Sequence, residues 1–170
     1  MDEINKTCLL HEILNLTRGL YKAIDEDWRK CAAKSGLTVS QQHLLWILYF
    51  ENGSTLSQIS EYGIWHLSTV IDLVERMERF GMVRKETDVK DARTKRVYIT
   101  DKGKKMLKIS WNNKDNFKFI DALNLGNKEL VQQYFDTLYR LNRLFNGEKF
   151  VQYVQKSTKK LRNKLERKEL

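Results

Sequence analysis

The chain has 170 residues, 41% of them hydrophobic, and carries 31 Lys and Arg against 22 Asp and Glu, for a formal charge of +9. That composition suits one domain with a helical extension and excludes a disordered basic tail. The longest apolar run, Leu44 to Phe50, falls far short of the roughly 20 residues a spanning helix needs, and no apolar signal segment follows Met1-Asp2-Glu3. Cys8 and Cys31 are too few for a disulfide framework, so a soluble, cytoplasmic protein without membrane contact is expected. The absence of proline and the presence of only eight glycines favour long helices.

In chain order, Leu10, Ile13, Leu14, Leu20, Tyr21, Ile24, Trp28 and Cys31 repeat at a helical period that Gly36 stops. Thr38 with Gln41 reads as a capping box for a central helix through Leu44 to Leu48, terminated at Asn52-Gly53. Thr55 with Gln58 opens a short helix ending near Tyr62-Gly63. The next begins near His66, buries Val70, Leu73, Val74, Met77 and Phe80 on one face, and stops at Gly81. Two helices joined by a tight glycine-containing turn are the helix-turn-helix pattern.

Helical period then gives way to strand-like runs, Met82 to Thr87 and Lys95 to Thr100, flanking a polar loop from Asp88 to Thr94. Thr100 can cap a further helix through Met106, Leu107 and Trp111. Its pattern weakens at Asn112 to Asn116 and resumes at Phe117, Ile120 and Leu123. After Gly126 an amphipathic stripe runs from Leu130 through Leu138 and Leu141 to Phe145, and a basic terminal helix follows Asn146-Gly147. The expected fold class is mainly α with a small β-hairpin wing, a winged helix-turn-helix flanked by a helical dimerisation region.

The charge is clustered. Arg84 to Lys105 holds nine basic groups against four acids, and Lys156 to Leu170 holds seven against two, whereas residues 1–35 balance at six and six. A clustered positive field on a helix-turn-helix with a basic hairpin points to nucleic acid. The second helix of the pair fits the major groove, where His66, Ser68, Thr69 and Asp72 near its start, and Arg76 beyond, can face base edges. The hairpin, with Lys90, Asp91, Arg93, Lys95 and Arg96, can reach the adjacent minor groove, which favours an arginine when narrow and A·T-rich.

The stretch Ser68-Thr69-Val70-Ile71-Asp72-Leu73-Val74-Glu75-Arg76-Met77-Glu78, then Gly81, Val83, Asp91-x-Arg93 and Val97-x-Ile99-Thr100-x-x-Gly103, resembles the MarR family of transcription regulators. His43-x-Leu45-Trp46-Ile47, Gly53-x-x-x-Ser57-x-Ile59 and Gly63-x-x-His66-x-Ser68-Thr69 are similar to its Hpr/ScoC-type branch, as are Tyr21-Lys22 and Asp27-Trp28. The resemblance is good from Leu9 to Leu107 and loose in the C-terminal third. It implies a sequence-specific repressor of double-stranded DNA, associated with the nucleoid and controlling protease and sporulation genes. It also implies that Arg93 is the minor-groove arginine, that Asp91 orients it, and that Ser68 and Thr69 face the groove. A plain turn-closing role for Asp91 is the competing account. Asp72 departs from the family, in which many relatives carry a basic residue there. Ile71, where threonine is frequent, is expected to pack inward rather than touch a thymine methyl.

A lone winged helix leaves apolar stripes without partners. Leu10, Ile13, Leu20 and Ile24 are expected to meet the helix carrying Leu138, Leu141 and Phe145, within and across subunits of a homodimer. The corresponding segments are residues 1–36 and 106–170 for dimerisation and 37–105 for DNA binding, together one domain of this type. Symmetry then predicts an inverted-repeat operator. The basic terminal helix is read either as a source of phosphate contacts or as a disordered solubilising tail.

No cofactor is expected, and the chain lacks a phosphate loop, a nucleophile elbow and H-E-x-x-H. Cys8, His11 and Glu12 could share a helix face as metal ligands, though ordinary surface polarity is the default. Cys31 lies near Arg29, Lys30 and Lys34 in sequence but reads as a small packing group rather than a redox sensor, and His43 as a core histidine. Two other functions stay open. One is a protein-interaction module, because Asp72, Glu75 and Glu78 make the recognition helix less cationic than the wing. The other is a repressor answering to an unidentified small molecule, with Trp46, Tyr49 and Trp65 around a pocket.

Overall fold

A computed structural model of the chain describes residues 2–112, 117–124 and 126–167. The first helix, α1 (Glu3–Ala33), is capped by Asp2, whose carboxylate accepts the Asn5 amide N–H at 2.8 Å. Both expected capping boxes form. Thr38 and Gln41 exchange bonds at the start of α2 (Val39–Phe50), and Thr55 and Gln58 do so at the start of α3 (Leu56–Gly63). Each box satisfies two amide groups the first helical turn leaves open. His66 is the N-cap of α4 (Leu67–Arg79) but makes no side-chain capping bond.

A two-residue strand, β1 (Ser54–Thr55), precedes α3, and the wing consists of β2 (Val83–Thr87) and β3 (Lys95–Ile99). The antiparallel sheet runs β1-β3-β2, with Val83 opposite Ile99 and Lys85 and Ser54 on either side of Val97. The hairpin was legible; β1 was not, because two residues cannot show an alternation. Four further helices follow: α5 (Asp101–Trp111), α6 (Lys118–Asn124), α7 (Lys128–Asn146) and α8 (Glu148–Glu166). Of the expected interruption after α5, residues 113–116 lie outside the described set.

The core forms around α2. Leu44, Leu45, Ile47 and Leu48 are fully enclosed, with Ile59 of α3, Val70, Val74 and Met77 of α4, Val83 and Val97 of the sheet and Leu107 of α5. Removing each such side chain from water contributes about 1.5–3 kcal/mol. Phe80, expected on the buried face of α4, is instead its exposed C-cap, because the chain has already turned toward Gly81. Gly103 permits the close approach of α5 to the sheet: a Cβ there would lie 2.3 Å from the Met82 carbonyl oxygen and 2.9 Å from Ile99 Cγ1. The glycine of the Thr100-x-x-Gly103 motif is therefore a packing requirement.

The outer helices behave differently. In α1 only Asp27, Cys31 and Ala32, in its last two turns, are buried; in α7 no residue is. Helix α1 packs on α2, α5 and α6, while α7 packs on α8. Within the subunit α1 meets α6 near its C-terminal end, where Asp27 bonds Phe119, and Leu10, Ile13, Leu141 and Phe145 are exposed. The basic terminal segment is helical through Glu166. Helix α8 docks on α3, stacking Tyr153 on Tyr62 with ring centroids 4.4 Å apart, and buries Val151 and Tyr153. Three lysines face acids across that seam: Lys149 reaches Glu61 at 2.9 Å, while Lys156 and Lys160 reach Glu51 at 3.1 and 2.7 Å.

Candidate nucleic-acid interface

Helix α4 turns Val70, Leu73, Val74 and Met77 into the core and leaves Ser68, Thr69, Asp72, Glu75, Arg76 and Arg79 exposed. The turn before it is unusual. Ile64 adopts a left-handed backbone with φ of +53°, which is rare for a β-branched residue. Gly63 beside it leaves room for Trp65, whose ring would lie within 2.4 Å of a Cβ there. Ser60 holds the turn by donating its hydroxyl to the Trp65 carbonyl at 2.6 Å.

Glu78 joins α4 to the wing. Its carboxylate accepts the Lys85 backbone N–H and pairs with the Lys85 ammonium, both at 2.9 Å. Partial burial pushes the Glu78 pKa up, but the two Lys85 bonds outweigh it and hold it below the ordinary value. This acid is therefore spent inside the module and contributes little to the groove-facing surface. Arg76 donates back to the Asp72 carbonyl of its own helix at 3.3 Å.

The wing tip is a closed turn. Asp91 accepts the Arg93 backbone N–H at 3.0 Å and the Thr94 hydroxyl at 2.8 Å. The acid thus closes the turn that carries Arg93, bonding its backbone N–H and the Thr94 hydroxyl. Lys90 and Arg93 are exposed and make no ion pair among the described residues. Lys95 is exposed and donates to the Thr87 hydroxyl at 2.6 Å.

Arg96 differs from the expectation of a groove-facing cation. Its guanidinium pairs with Asp88 and donates to the Gly53 carbonyl at 2.9 Å, lacing the wing to the turn before β1. The Lys90 backbone N–H, and after it the Arg96 guanidinium, hold the Asp88 carboxyl below its usual range. Arg84 lies over the Tyr98 ring, 4.7 Å from its centroid. The free positive charge of the wing is concentrated at Lys90, Arg93 and Lys95.

Several residues escaped the sequence reading. Trp28 donates to Gln42 at 2.6 Å, Gln42 donates to Ser110 at 2.7 Å, and the Cys31 thiol lies 3.4 Å from the Ser110 carbonyl. Buried Asp27 accepts the Phe119 amide N–H at 3.2 Å, anchoring α6. These bonds join α1, α2, α5 and α6 across long sequence separations, so no local spacing announces them. Cys31 is a buried, hydrogen-bonded thiol. His43 sits between the Trp28 and Trp65 rings, at 5.2 and 5.0 Å, and burial lowers its pKa to about 4.

A mostly apolar cavity of about 350 Å³ lies beside this node, lined by Ile24, Trp28, Cys31, Gln42, Trp46, Ser110, Trp111 and Phe117. Trp46 lines it as expected; Tyr49 instead packs edge-on against Trp46, and Trp65 covers His43. Cys8, His11 and Glu12 do not gather as metal ligands, and among the described residues no cluster of three or more His, Cys, Asp or Glu could hold a metal ion. Among those residues no helix is long and apolar enough to cross a membrane.

Residues 37–95 match the model of the MarR family. Over 156 residues the chain is 27% identical to the HTH-type transcriptional regulator Hpr of Geobacillus sp. (strain WCH70), covering 89% of this chain and 77% of that protein. It is 30% identical over 92 residues to the DNA-binding transcriptional repressor ScoC of Bacillus subtilis (strain 168), a match spanning 54% of this chain and 45% of that protein. The crystal structure of an S. aureus MepR–DNA complex shares the fold, with a TM-score of 0.67 and 21% identity over 75% of this chain and 93% of that one. Residues 37–95 of this chain are thus similar to a MarR-family domain, and the curated proteins it resembles are HTH-type transcriptional regulators of the Hpr/ScoC kind.

Proposed function

We propose that this regulator binds double-stranded DNA sequence-specifically, as a homodimer on an A/T-rich inverted repeat, and represses by occluding promoters in the cytoplasm, on the nucleoid. The observation that carries the reading is the wing tip. Asp91 builds a tight turn that presents Arg93, flanked by Lys90 and Lys95, as free cations beside an exposed recognition helix. An arginine held at a loop tip loses less entropy on entering a narrow minor groove. Ser68, Thr69, Asp72 and Arg76 are the groove-facing positions of α4, with His66 at its start. Dimerisation is assigned to residues 1–36 and 106–170, through Leu10, Ile13, Leu20, Ile24, Leu138, Leu141 and Phe145. The Hpr/ScoC likeness supports control of protease and sporulation genes as its role.

Selection of bound duplexes from a random library, followed by a salt titration of the best sequence, tests this. An enriched A/T-rich inverted repeat is expected, with log affinity falling steeply against log salt, by about 0.9 per phosphate contact. Arg93→Ala should weaken binding and erase the preference for A·T-rich flanks. Weak binding with no enriched sequence would sink the reading and favour a protein partner for the winged helix.

The cavity between α1, α2 and α5 supports an added response to a small apolar effector. Trp28, Trp46 and Trp111 line it, so occupancy should quench tryptophan fluorescence and shift operator affinity together.

A further inference from the structure

Resting on the DNA-binding reading, we infer that Leu67 and Ile71 read the C5-methyl groups of thymines in the operator's major groove. The base-contacting part of a recognition helix is its N-terminal half. Here that half holds Leu67, Ser68, Thr69, Ile71 and Asp72 and no cation. The arginines come later, and Arg76 leans back onto the Asp72 carbonyl. The usual bidentate arginine–guanine contact is therefore not what the first turns of α4 offer.

What they offer is apolar surface. Ile71 does not pack inward, as the sequence suggested: it is 37% exposed, and Leu67, one turn before it, is 46% exposed. The core takes Val70, Leu73, Val74 and Met77 and has no need of either. Being four residues apart, the two side chains lie one above the other on one flank of the helix. That flank continues to Glu78, which is bonded to Lys85 of β2, so the pair lies on the wing side of the groove-facing surface. Ile64, in the turn immediately before, is 52% exposed and extends the same apolar end.

The thymine methyl is the one apolar group that a base pair presents in the major groove. Cationic Lys90, Arg93 and Lys95 supply the attraction to DNA from the wing, so the helix itself can dispense with positive charge. Asp72, an acceptor only, suits the exocyclic amines of cytosine or adenine beside those methyls. A neutral-to-acidic helix with an apolar flank thus selects a half-site by methyl positions, where a cationic helix would select guanines.

Thymine-to-deoxyuridine replacement tests this, because it removes the methyl and keeps base pairing. On the operator selected from the random library, each thymine is replaced in turn and affinity measured for the unaltered protein, Leu67→Ala and Ile71→Ala. One or two positions per half-site should lose about three- to fivefold for the unaltered protein, the worth of one buried methyl. The same replacements should cost Leu67→Ala or Ile71→Ala nothing further. Both residues are exposed, so the variants should keep their melting temperature, which circular dichroism checks. Uniform tolerance of deoxyuridine, or an undiminished penalty in both variants, overturns the methyl reading while leaving DNA binding intact. Failure to enrich any operator overturns the regulator reading and this inference with it.

Discussion

Helices α2 and α7 are both rich in apolar side chains, yet their fates are opposite. The 12 residues of α2 bury Gln42, Leu44, Leu45, Ile47 and Leu48; the 19 residues of α7 bury none. In α2 the apolar positions lie on most sides of the helix, so five other elements can close around it within one chain. In α7 they form a single stripe, of which α8 covers only part; Phe145 remains 77% exposed. The core around α2 closes within one chain, while the α7 stripe stays open as the surface the proposed homodimer would use.

The comparison breaks most visibly with Leu45→Ala, which should cost about 2–5 kcal/mol in chemical denaturation. Leu144→Ala in α7 should leave the stability of dilute monomer within about 0.5 kcal/mol. Phe145→Glu should instead lower the sedimentation coefficient toward that of a monomer with no loss of helix content. Equal losses of fold stability from Leu45→Ala and Leu144→Ala would remove the distinction.

Acid sharpens it from the α2 side. His43, buried between Trp28 and Trp65, has its pKa lowered from 6.5 to about 4. The unfolded chain takes up this proton first, so the contribution is complete above pH 6.5 and is lost as pH falls toward 4. The loss amounts to about 3 kcal/mol at most. His43→Leu should flatten the stability profile across that window; an unchanged profile would show that His43 takes up its proton equally readily in the folded and unfolded chains.

Gly103→Ala should cost about 1–3 kcal/mol, because its Cβ meets backbone rather than a side chain that can swing aside. A melting temperature equal to that of the unaltered protein would show that α5 shifts freely. The smallest effect belongs to the α8 seam. Burial alone would raise the Glu51 pKa, but Lys160 and Lys156 bring it below the ordinary value. Glu51→Gln should cost about 0.5–1 kcal/mol and make stability less sensitive to salt. A salt response identical to the unaltered protein's would show that these pairs are spectators.

Helix starts and stops were readable from sequence because their signals are local. Thr38-x-x-Gln41 and Thr55-x-x-Gln58 specify their own bonds within a span of three residues. The wing was equally readable, since Val97 and Ile99 alternate with polar neighbours. What escaped was set by distant partners. Arg96 looks like its basic neighbours until Gly53 and Asp88 claim it, and Asp27 looks like surface until α6 arrives. Ile71 was misplaced because helical periodicity leaves a flanking residue on the border between core and solvent.

The docking of α8 bears on the order in which the molecule can be completed. Lys160 donates to the Phe50 carbonyl at 2.6 Å, across 110 residues, and Tyr153 belongs to the core that α2 begins. During synthesis the winged helix, whose last helix ends at Trp111, waits some seconds for α8 at about 5–20 residues per second. Until then Tyr62 lacks its stacking partner and the end of α2 keeps an unanswered carbonyl and an unpaired Glu51. A nascent copy is thus an open-sided molecule, and its finishing contact is made by a late-arriving segment. Completion of the face formed by α2 and α3 is thereby tied to synthesis of a helix far downstream of both.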